Sequence, residues 1–267
     1  MTNVEFEAYV KQLKEDGYTV LPGVLTEKEC DAATIELERL AKDKERGGLE
    51  CIFNKGRIFE RIYQLPDLLQ LIQHFLGADA RLSTAHGRIL EPGQGDGNLH
   101  ADGEVSGHLR QESQAPIDKG RRIISHTMSV NTIFCISKFT KTNGATQVVP
   151  GSHRIESIGI PETAINKARI IEADRGSVIV FISTIWHGTS KNISSDNRYA
   201  VVAPWGRSWS KGSYDLCRIV KPDVLERAGD EGRIIFGLNS RAPYLEHWQW
   251  DREKGEPKPG FMTHEQN

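Results

Sequence analysis

Two histidines and an aspartate are spaced along this chain as the ligands of a metal ion would be. One residue separates His100 from Asp102, and His187 follows much later, at the end of an apolar run. Side chains two residues apart in an extended segment point to the same face, so His100 and Asp102 can reach one ion. Two imidazoles and one carboxylate form the facial set that holds non-haem Fe(II) and leaves positions open for substrates.

An arginine adds a second requirement to this pattern. Arg198 follows His187 on the next β-rich segment. The planar guanidinium matches a carboxylate, so its position predicts a carboxylate-bearing molecule bound near the metal. A lone His-x-Asp pair is common by chance, and zinc also accepts two histidines and a carboxylate. The order of all four residues favours iron, because a zinc site gives Arg198 no function.

The composition is that of an ordinary globular protein. Hydrophobic residues make up 38% and charged residues 26% of the 267 residues, and the formal net charge is −2. This length fits one domain over residues 1–267. A charge so near neutrality favours neither nucleic acid nor membrane as a partner, and no apolar stretch has the roughly 20 residues of a membrane span. We expect a small-molecule substrate and a monomer or homodimer.

The cysteines and the first residues indicate a compartment. Four scattered cysteines form no Cys-x-x-Cys pair, which favours buried thiols in a reducing environment. The first residues carry no basic region followed by an apolar run, so no secretory signal is expected. The predicted location is cytoplasmic.

The periodicity of the chain changes near residue 81. Residues 1–80 are predicted to form a mostly helical cover, with helices over 3–16, from the Thr26 cap to about 44 and over 66–76, and a strand at 18–21. Short β-rich segments then follow at 81–90, 127–136, 146–149, 168–171, 177–182 and 199–203. They predict an antiparallel sandwich or jelly-roll core over 81–205. Residues 206–267 are predicted to be a C-terminal cover or an oligomer contact.

Residues 103–126 form a long polar insertion directly after Asp102. Loops of this length in a compact domain are usually functional or disordered, and the position favours an active-site lid. Arg110, Arg121 and Arg122 make the insertion basic and are candidate substrate contacts; a solvated surface is the alternative. Further candidates elsewhere in the chain are His86 and Arg88, on the strand before the ligand pair, and Trp205. Ordinary strand and core positions are the alternative for these three.

Two longer strings carry a family resemblance. Residues 15–30 read Glu-Asp-Gly-Tyr-Thr-Val-Leu-Pro-Gly-Val-Leu-Thr-Glu-Lys-Glu-Cys, and residues 143–154 read Asn-Gly-Ala-Thr-Gln-Val-Val-Pro-Gly-Ser-His-Arg. The first resembles an opening strand and helix, and the second, more specific string resembles a signature turn and strand. With His100-Ala-Asp102, His187 and Arg198, they give most of the chain a resemblance to the phytanoyl-CoA dioxygenase family of Fe(II)- and 2-oxoglutarate-dependent oxygenases.

The resemblance implies a mainly β fold with flanking α-helices, namely a double-stranded β-helix (a cupin-like jelly roll) with iron at one mouth. It implies that His100, Asp102 and His187 bind Fe(II), and that Arg198 pairs with the distal carboxylate of 2-oxoglutarate. It adds Thr189, Asn131 and Thr146 as further cosubstrate contacts. The aromatic residue that the family often has shortly after His-x-Asp has no evident equivalent in the insertion.

The implied reaction is the oxidation of a small-molecule metabolite or natural-product intermediate by O2, with release of succinate and CO2. Related halogenases have a small residue at the position of Asp102, so a carboxylate favours hydroxylation, or oxidative desaturation, cyclisation or demethylation. The alternative is a jelly-roll binding protein without turnover. The metal ligands together with Arg198 favour the enzyme, because a binding protein needs no open metal site. The resemblance does not identify the substrate.

Overall fold

A computed structural model of the chain describes residues 1–43, 48–102, 124–156 and 159–238, and residues 250–251, 253–254 and 256–257 near the C-terminus. Three α-helices, α1 (Asn3–Asp16), α2 (Glu27–Ala41) and α3 (Pro66–Leu76), and 3-10 helices at Ile52–Asn54 and Arg57–Tyr63 fill the first part. Thr26 and Glu29 form the capping box of α2, and Gly17 ends α1 in the left-handed region, with φ 84°. The helices predicted from the sequence are present.

The strands build two antiparallel sheets. In chain order they are β1 (Tyr18–Leu21), β2 (Arg81–Leu82), β3 (His86–Leu90), β4 (Ser129–Cys135), β5 (Thr146–Val148), β6 (Arg169–Ile170), β7 (Val178–Ile182), β8 (His187–Thr189) and β9 (Arg198–Gly206). The major sheet has the order β1-β7-β4-β9-β2, with β3 also paired to β9, and the minor sheet has the order β6-β5-β8. The N-terminal segment therefore supplies the edge strand β1 to the major sheet.

Strand alternation gives the major sheet two buried faces. On the outer face Val130, Phe134, Val180 and Val201 pack in one core with the helices. On the inner face another set of apolar side chains packs with residues of the minor sheet: Ile133, Cys135, Ile179, Phe181 and Ala200, against Ala145, Val148 and Ile171. Residues of the inner face therefore share the space between the sheets with residues of the minor sheet.

The C-terminal part adds two helices, α4 (Leu216–Ile219) and α5 (Pro222–Ile235), and a short hairpin, β10 (Trp250–Asp251) and β11 (Glu256–Pro257). Helix α5 is fixed to the N-terminal helical layer by Arg227, which donates to both oxygens of the buried Glu60 carboxylate, at 2.6 and 3.1 Å. Among the described helices none is both long and apolar enough to cross a bilayer.

Candidate metal centre

Backbone pairing brings His100 and His187 side by side. The two residues exchange both hydrogen bonds of an antiparallel pair, His100 N to His187 O and His187 N to His100 O, each at 2.8 Å. The segment around His100 thus extends the minor sheet beyond β8. Asp102 N donates to Ser183 O at 2.8 Å, which ties the next part of that segment to the end of β7. The fold therefore supplies the three predicted ligands from two adjacent backbone segments.

The three side chains converge. One ligand atom from each of His100, Asp102 and His187 can be chosen so that all lie within 4.8 Å of one another. Nε2 of His187 is 3.4 Å from Asp102 Oδ2, and Nε2 of His100 is 3.9 Å from Asp102 Oδ1. The imidazole rings lie 4.2 Å apart between centroids. Two imidazole nitrogens around one carboxylate at these distances fit a divalent metal ion between them.

Hydrogen bonding fixes the His187 ring. Its Nδ1 lies 2.9 Å from the carbonyl oxygen of Ile185, which can only accept, so Nδ1 carries a proton and Nε2 is the nitrogen that a metal would use. The ring also lies 4.6 Å from that of Phe181, and His187 is 6% exposed. The hydrogen bond thus fixes the direction of Nε2, and packing holds the His187 ring in place.

Asn131 holds the carboxylate. Its Nδ2 donates to Asp102 Oδ2 at 2.9 Å, and its Oδ1 accepts from the Ser183 hydroxyl at 3.1 Å. The resemblance implied that Asn131 contacts the cosubstrate, but both ends of its amide are engaged by protein. Its place in this structure is beside the metal ligand. Sequence analysis missed Ser183, whose hydroxyl and backbone carbonyl both support this arrangement.

The surroundings favour the deprotonated forms of His100 and Asp102. Burial lowers the pKa of His100, and the neighbouring His187 lowers it further. Burial acts to raise the pKa of Asp102, but the hydrogen bond and charge interaction with His187, with help from His100 and Asn131, outweigh it and leave the pKa below its usual value. Metal binding requires a neutral imidazole and a carboxylate, and this site is biased towards both.

The signature string at residues 143–154 supports the strand that carries His187. Trp186 N donates to the Ser152 hydroxyl at 2.8 Å, and Val149 N donates to Trp186 O at 2.8 Å. The Trp186 side chain packs with Val149 and Ala164, and strand alternation puts it on the opposite face from His187. The string therefore braces the residues around His187 on the side away from the ion.

Arg198 is a buried cation on the inner face of the major sheet. It is 5% exposed, and its guanidinium carbon lies 4.6 Å from the centre of the Phe139 ring. Burial lowers the pKa of Arg198 to about 10, so it remains charged at neutral pH. Among the described residues no carboxylate pairs with it, and its Nε has no hydrogen-bond partner. A buried cation is costly without a counter-charge, so this position fits a bound carboxylate.

Strand pairing places the remaining candidates. Thr146 lies opposite Thr189, and Val148 lies opposite His187, so both threonines share the inner face of the minor sheet with His187. His86 and Arg88 lie opposite Val202 and Ala200 on β9, on the inner face of the major sheet.

Three arginines and one tryptophan complete the predicted set. Arg110, Arg121 and Arg122, and most of the insertion predicted as a lid, lie outside the described residues. Trp205 is placed on the outer face, where it is 1% exposed within the helix-facing core and its Nε1 donates to Thr132 Oγ1 at 3.2 Å. This is a correction: Trp205 packs against helices and does not line the space between the sheets.

Two facing antiparallel sheets, a His-x-Asp pair with a distal histidine, and a buried arginine that no carboxylate of the described residues pairs with define the non-haem iron class of jelly-roll oxygenase. Comparison with known families gives the particular group. The model of the family "Phytanoyl-CoA dioxygenase (PhyH)" matches residues 13–200, which is most of the chain. The chain belongs to this family.

Curated relatives agree with the family. An uncharacterized protein of Mycobacterium tuberculosis, Rv1501, is 29% identical over 243 residues, covering 88% of this chain and 80% of that protein. The dioxygenase af480 of Aspergillus fumigatus is 29% identical over 212 residues, covering 71% of this chain and 63% of its own length. The predicted enzyme class, a dioxygenase of the Fe(II)- and 2-oxoglutarate-dependent type, is confirmed at the level of the family.

Solved structures share the fold. The epimerase SnoN, in complex with Fe3+, alpha-ketoglutarate and nogalamycin RO, superposes with a TM-score of 0.60 at 15% identity, covering 78% of this chain and 86% of SnoN. HygX from Streptomyces hygroscopicus, with nickel and 2-oxoglutarate bound, gives a TM-score of 0.60 at 18% identity, covering 79% and 89%. The predicted fold class, a jelly roll with flanking helices, is confirmed.

Proposed function

We propose that this protein is an Fe(II)- and 2-oxoglutarate-dependent oxygenase that oxidises a small organic molecule, a metabolite or a natural-product intermediate. The observation that carries the proposal is the pairing of two features in one fold. A His-Asp-His cluster offers a metal three ligands, and a buried arginine has no counter-charge among the described residues. A metal alone explains only the first feature, whereas a metal with a dicarboxylate cosubstrate explains both.

Each residue has a role in this proposal. His100, Asp102 and His187 hold the iron, and Arg198 anchors the distal carboxylate of 2-oxoglutarate. Thr189 and Thr146, on the inner face of the minor sheet, are candidate hydrogen-bond partners of the same molecule. When bound, iron with 2-oxoglutarate and O2 supplies the oxidant that attacks a C–H bond, with succinate and CO2 as products.

The protein contributes positioning and charge. Asn131 and Ser183 keep the Asp102 carboxylate in place, and the Ile185 carbonyl keeps the His187 ring turned towards the metal. The cation of Arg198, which is itself buried, attracts a carboxylate more strongly than it would at the surface. The apolar inner face, with Phe181 beside His187, limits the access of water to the reacting bond.

Relatives and neighbours support the class of substrate. One fold neighbour, SnoN, is described as an epimerase from nogalamycin biosynthesis, and another, HygX, as having nickel and 2-oxoglutarate bound. A small organic substrate agrees with the family, and we extend the natural-product assignment to this chain as part of the proposal. The retained carboxylate of Asp102 favours hydroxylation or another oxidation over halogenation.

A spectroscopic titration tests the proposal. Under argon, addition of Fe(II) and then 2-oxoglutarate to the metal-free protein should produce a weak visible charge-transfer band. Exposure to O2 should then release succinate. Arg198→Met and His187→Ala should each lose the band, whereas His74→Ala, an exposed histidine on α3, should retain it. A wild-type protein that binds Fe(II) but forms no band with 2-oxoglutarate would identify a metal-binding protein of another kind.

A further inference from the structure

A second arginine faces the same space as the proposed iron site. On β3, His86 lies opposite Val202, Arg88 opposite Ala200 and Leu90 opposite Arg198. Directly opposed residues of antiparallel strands share a face, and Ala200 belongs to the core between the sheets. Gly87, between His86 and Arg88, faces the other way, because a Cβ there would lie 2.3 Å from Leu37 on α2. Arg88 and His86 therefore point into the space that also holds Arg198.

Electrostatic proximity supports this placement. The charge of Arg88 lowers the pKa of both Arg198 and His86, and the charge of Asp102 acts on His86. The strand register agrees, because Asn131, which donates to Asp102, lies opposite Pro204, and His86 lies opposite Val202, nearer to that end of β9 than Arg88. Inner-face positions along β3 follow one another at about 7 Å, so Arg88 lies about one such step from the position opposite Arg198 and about one step from His86.

Arg88 differs from Arg198 in two respects. It is exposed, whereas Arg198 is buried. In the described part of the chain no carboxylate pairs with Arg88. Glu50, which forms a backbone β-bridge with His86, instead accepts a hydrogen bond from the Tyr214 hydroxyl at 3.1 Å. The guanidinium is therefore accessible to a molecule that enters from solvent. Arg198, closed off from solvent, suits the small dicarboxylate that binds first.

We propose that the primary substrate carries a carboxylate, which Arg88 binds as a bidentate pair, with His86 as an additional hydrogen-bond partner on the side towards the metal. This inference rests on the proposed function, because it places the acid next to the proposed iron and 2-oxoglutarate. The charge count favours a monoanion. Burial and the charge of Arg88 lower the pKa of His86, so at neutral pH the pair offers one positive charge and one neutral imidazole. A planar guanidinium matches a carboxylate in geometry as well as in charge.

The test compares acids with their amides. The probes are benzoate, phenylacetate, cinnamate, hexanoate and N-acetylphenylalanine, each paired with its primary amide. Binding is measured by calorimetry to protein loaded with Mn(II), which is redox-inert, and 2-oxoglutarate. The wild-type protein should prefer at least one acid over its amide by about tenfold or more, in line with a hydrogen-bonded charge pair in a partly enclosed site. Stimulation of succinate release from the iron-loaded enzyme by that acid is the second readout.

Three variants test whether Arg88 causes the preference for acids over amides. Arg88→Gln should abolish it and leave the affinity for 2-oxoglutarate within about twofold, and Arg88→Lys should retain part of it, because the charge remains and the planar fork is lost. Arg169→Gln removes the same charge from an exposed arginine on β6, the edge strand of the minor sheet. It should change neither the preference for acids nor the affinity for 2-oxoglutarate. Weaker binding of 2-oxoglutarate by Arg88→Gln would make Arg88 a second cosubstrate anchor and overturn the inference.

Two further results separate this inference from the proposed function. A wild-type protein that binds 2-oxoglutarate but binds no acid of the panel, or binds acids and amides equally, overturns the carboxylate assignment and leaves the oxygenase intact. A wild-type protein that binds neither Fe(II) nor 2-oxoglutarate overturns the proposed function. In that case a preference for acids that is lost in Arg88→Gln would still support a carboxylate site.

Discussion

Asn131 donates from Nδ2 to Oδ2 of Asp102 at 2.9 Å, across 29 positions of the sequence. The side-chain amide of Asn131 cannot flip by 180° without losing hydrogen bonds, because its Oδ1 accepts from the Ser183 hydroxyl at 3.1 Å. One oxygen of the carboxylate is thus held by the sheet, while the other, Oδ1, lies towards His100. Strand β4 thereby fixes how the carboxylate presents itself to a metal.

Removal of this amide should weaken metal binding without unfolding the protein. Partners of this kind typically change metal affinity by about 10- to 100-fold, so Asn131→Ala should weaken Mn(II) or Fe(II) binding by that factor. Calorimetry under argon measures it. Ser137→Ala, which loses a hydroxyl near the far end of β4, should bind metal like the wild type. Wild-type affinity in Asn131→Ala would show that Asp102 is positioned by its backbone alone.

The sequence identified the candidate metal ligands, but it did not identify the residues that hold them in place. His100, Asp102 and His187 could be selected because their chemistry is local: residue type, a spacing of two and a strand end. Asn131 could be placed on an inner face by alternation. Its partner, however, depends on how β4 lies against residues 100–102, a long-range register that no local pattern determines.

The error at Trp205 has a specific cause. Sequence analysis ended the strand at residue 203 and therefore did not assign Trp205 to a face of the sheet. The structure continues β9 to Gly206. Trp205 lies seven positions after Arg198, and an odd offset along one strand puts the two side chains on opposite faces.

The C-terminal helices were also missed. Helix α4 is only four residues long, and α5 is interrupted at Gly229, which has φ 63° and ψ −158°. Short or broken helices give weak periodicity, and such helices are stabilised mainly by the layer against which they pack.

The contact between helix α5 and the N-terminal helical layer provides a stability prediction. Arg227 pairs with Glu60, which is 5% exposed and also accepts from the Tyr63 hydroxyl at 3.3 Å. Arg227→Met would leave a buried carboxylate without its cation and should clearly lower the free energy of unfolding. The free energy of unfolding in urea measures this.

Two comparisons test the cause of that loss. The double variant Glu60→Leu with Arg227→Met should recover most of the stability, because the uncompensated charge is gone. Arg218→Met, at a side chain that is 86% exposed, should change the free energy of unfolding by less than about 0.5 kcal/mol. Equal losses in the single and double variants would attribute the effect to packing rather than charge.

The metal stoichiometry provides the next prediction. The wild-type protein should bind one Fe(II) per chain under argon, and His187→Ala should lose more affinity than Asn131→Ala, because it removes a ligand rather than a support. Colorimetric iron analysis after desalting measures this. His74→Ala should retain one iron, since His74 lies in the helical layer, in edge-to-face contact with Phe6 and Phe75. Full iron content in His187→Ala would require a different third ligand.

Arg198 gives a prediction in which stability and binding change in opposite directions. Its buried cation lacks a partner among the described residues, so Arg198→Met should raise the melting temperature of the protein without cosubstrate. The same variant should weaken 2-oxoglutarate binding by about two orders of magnitude, since roughly 1.4 kcal/mol corresponds to tenfold. Differential scanning fluorimetry with Mn(II), with and without 2-oxoglutarate, measures both effects.

The pH dependence completes this test. Because the pKa of Arg198 is lowered only to about 10, the guanidinium remains protonated through neutral pH, and the carboxylates of 2-oxoglutarate are ionised there as well. The contribution of Arg198 to 2-oxoglutarate affinity should therefore be constant from pH 7 to 8.5 and decline only near pH 10, as the cation is lost. The affinity ratio of wild type to Arg198→Met isolates this contribution, since changes at the metal affect both proteins. A ratio near one at pH 7.5, or a variant that is less stable without cosubstrate, would show that Arg198 is a structural residue rather than the anchor.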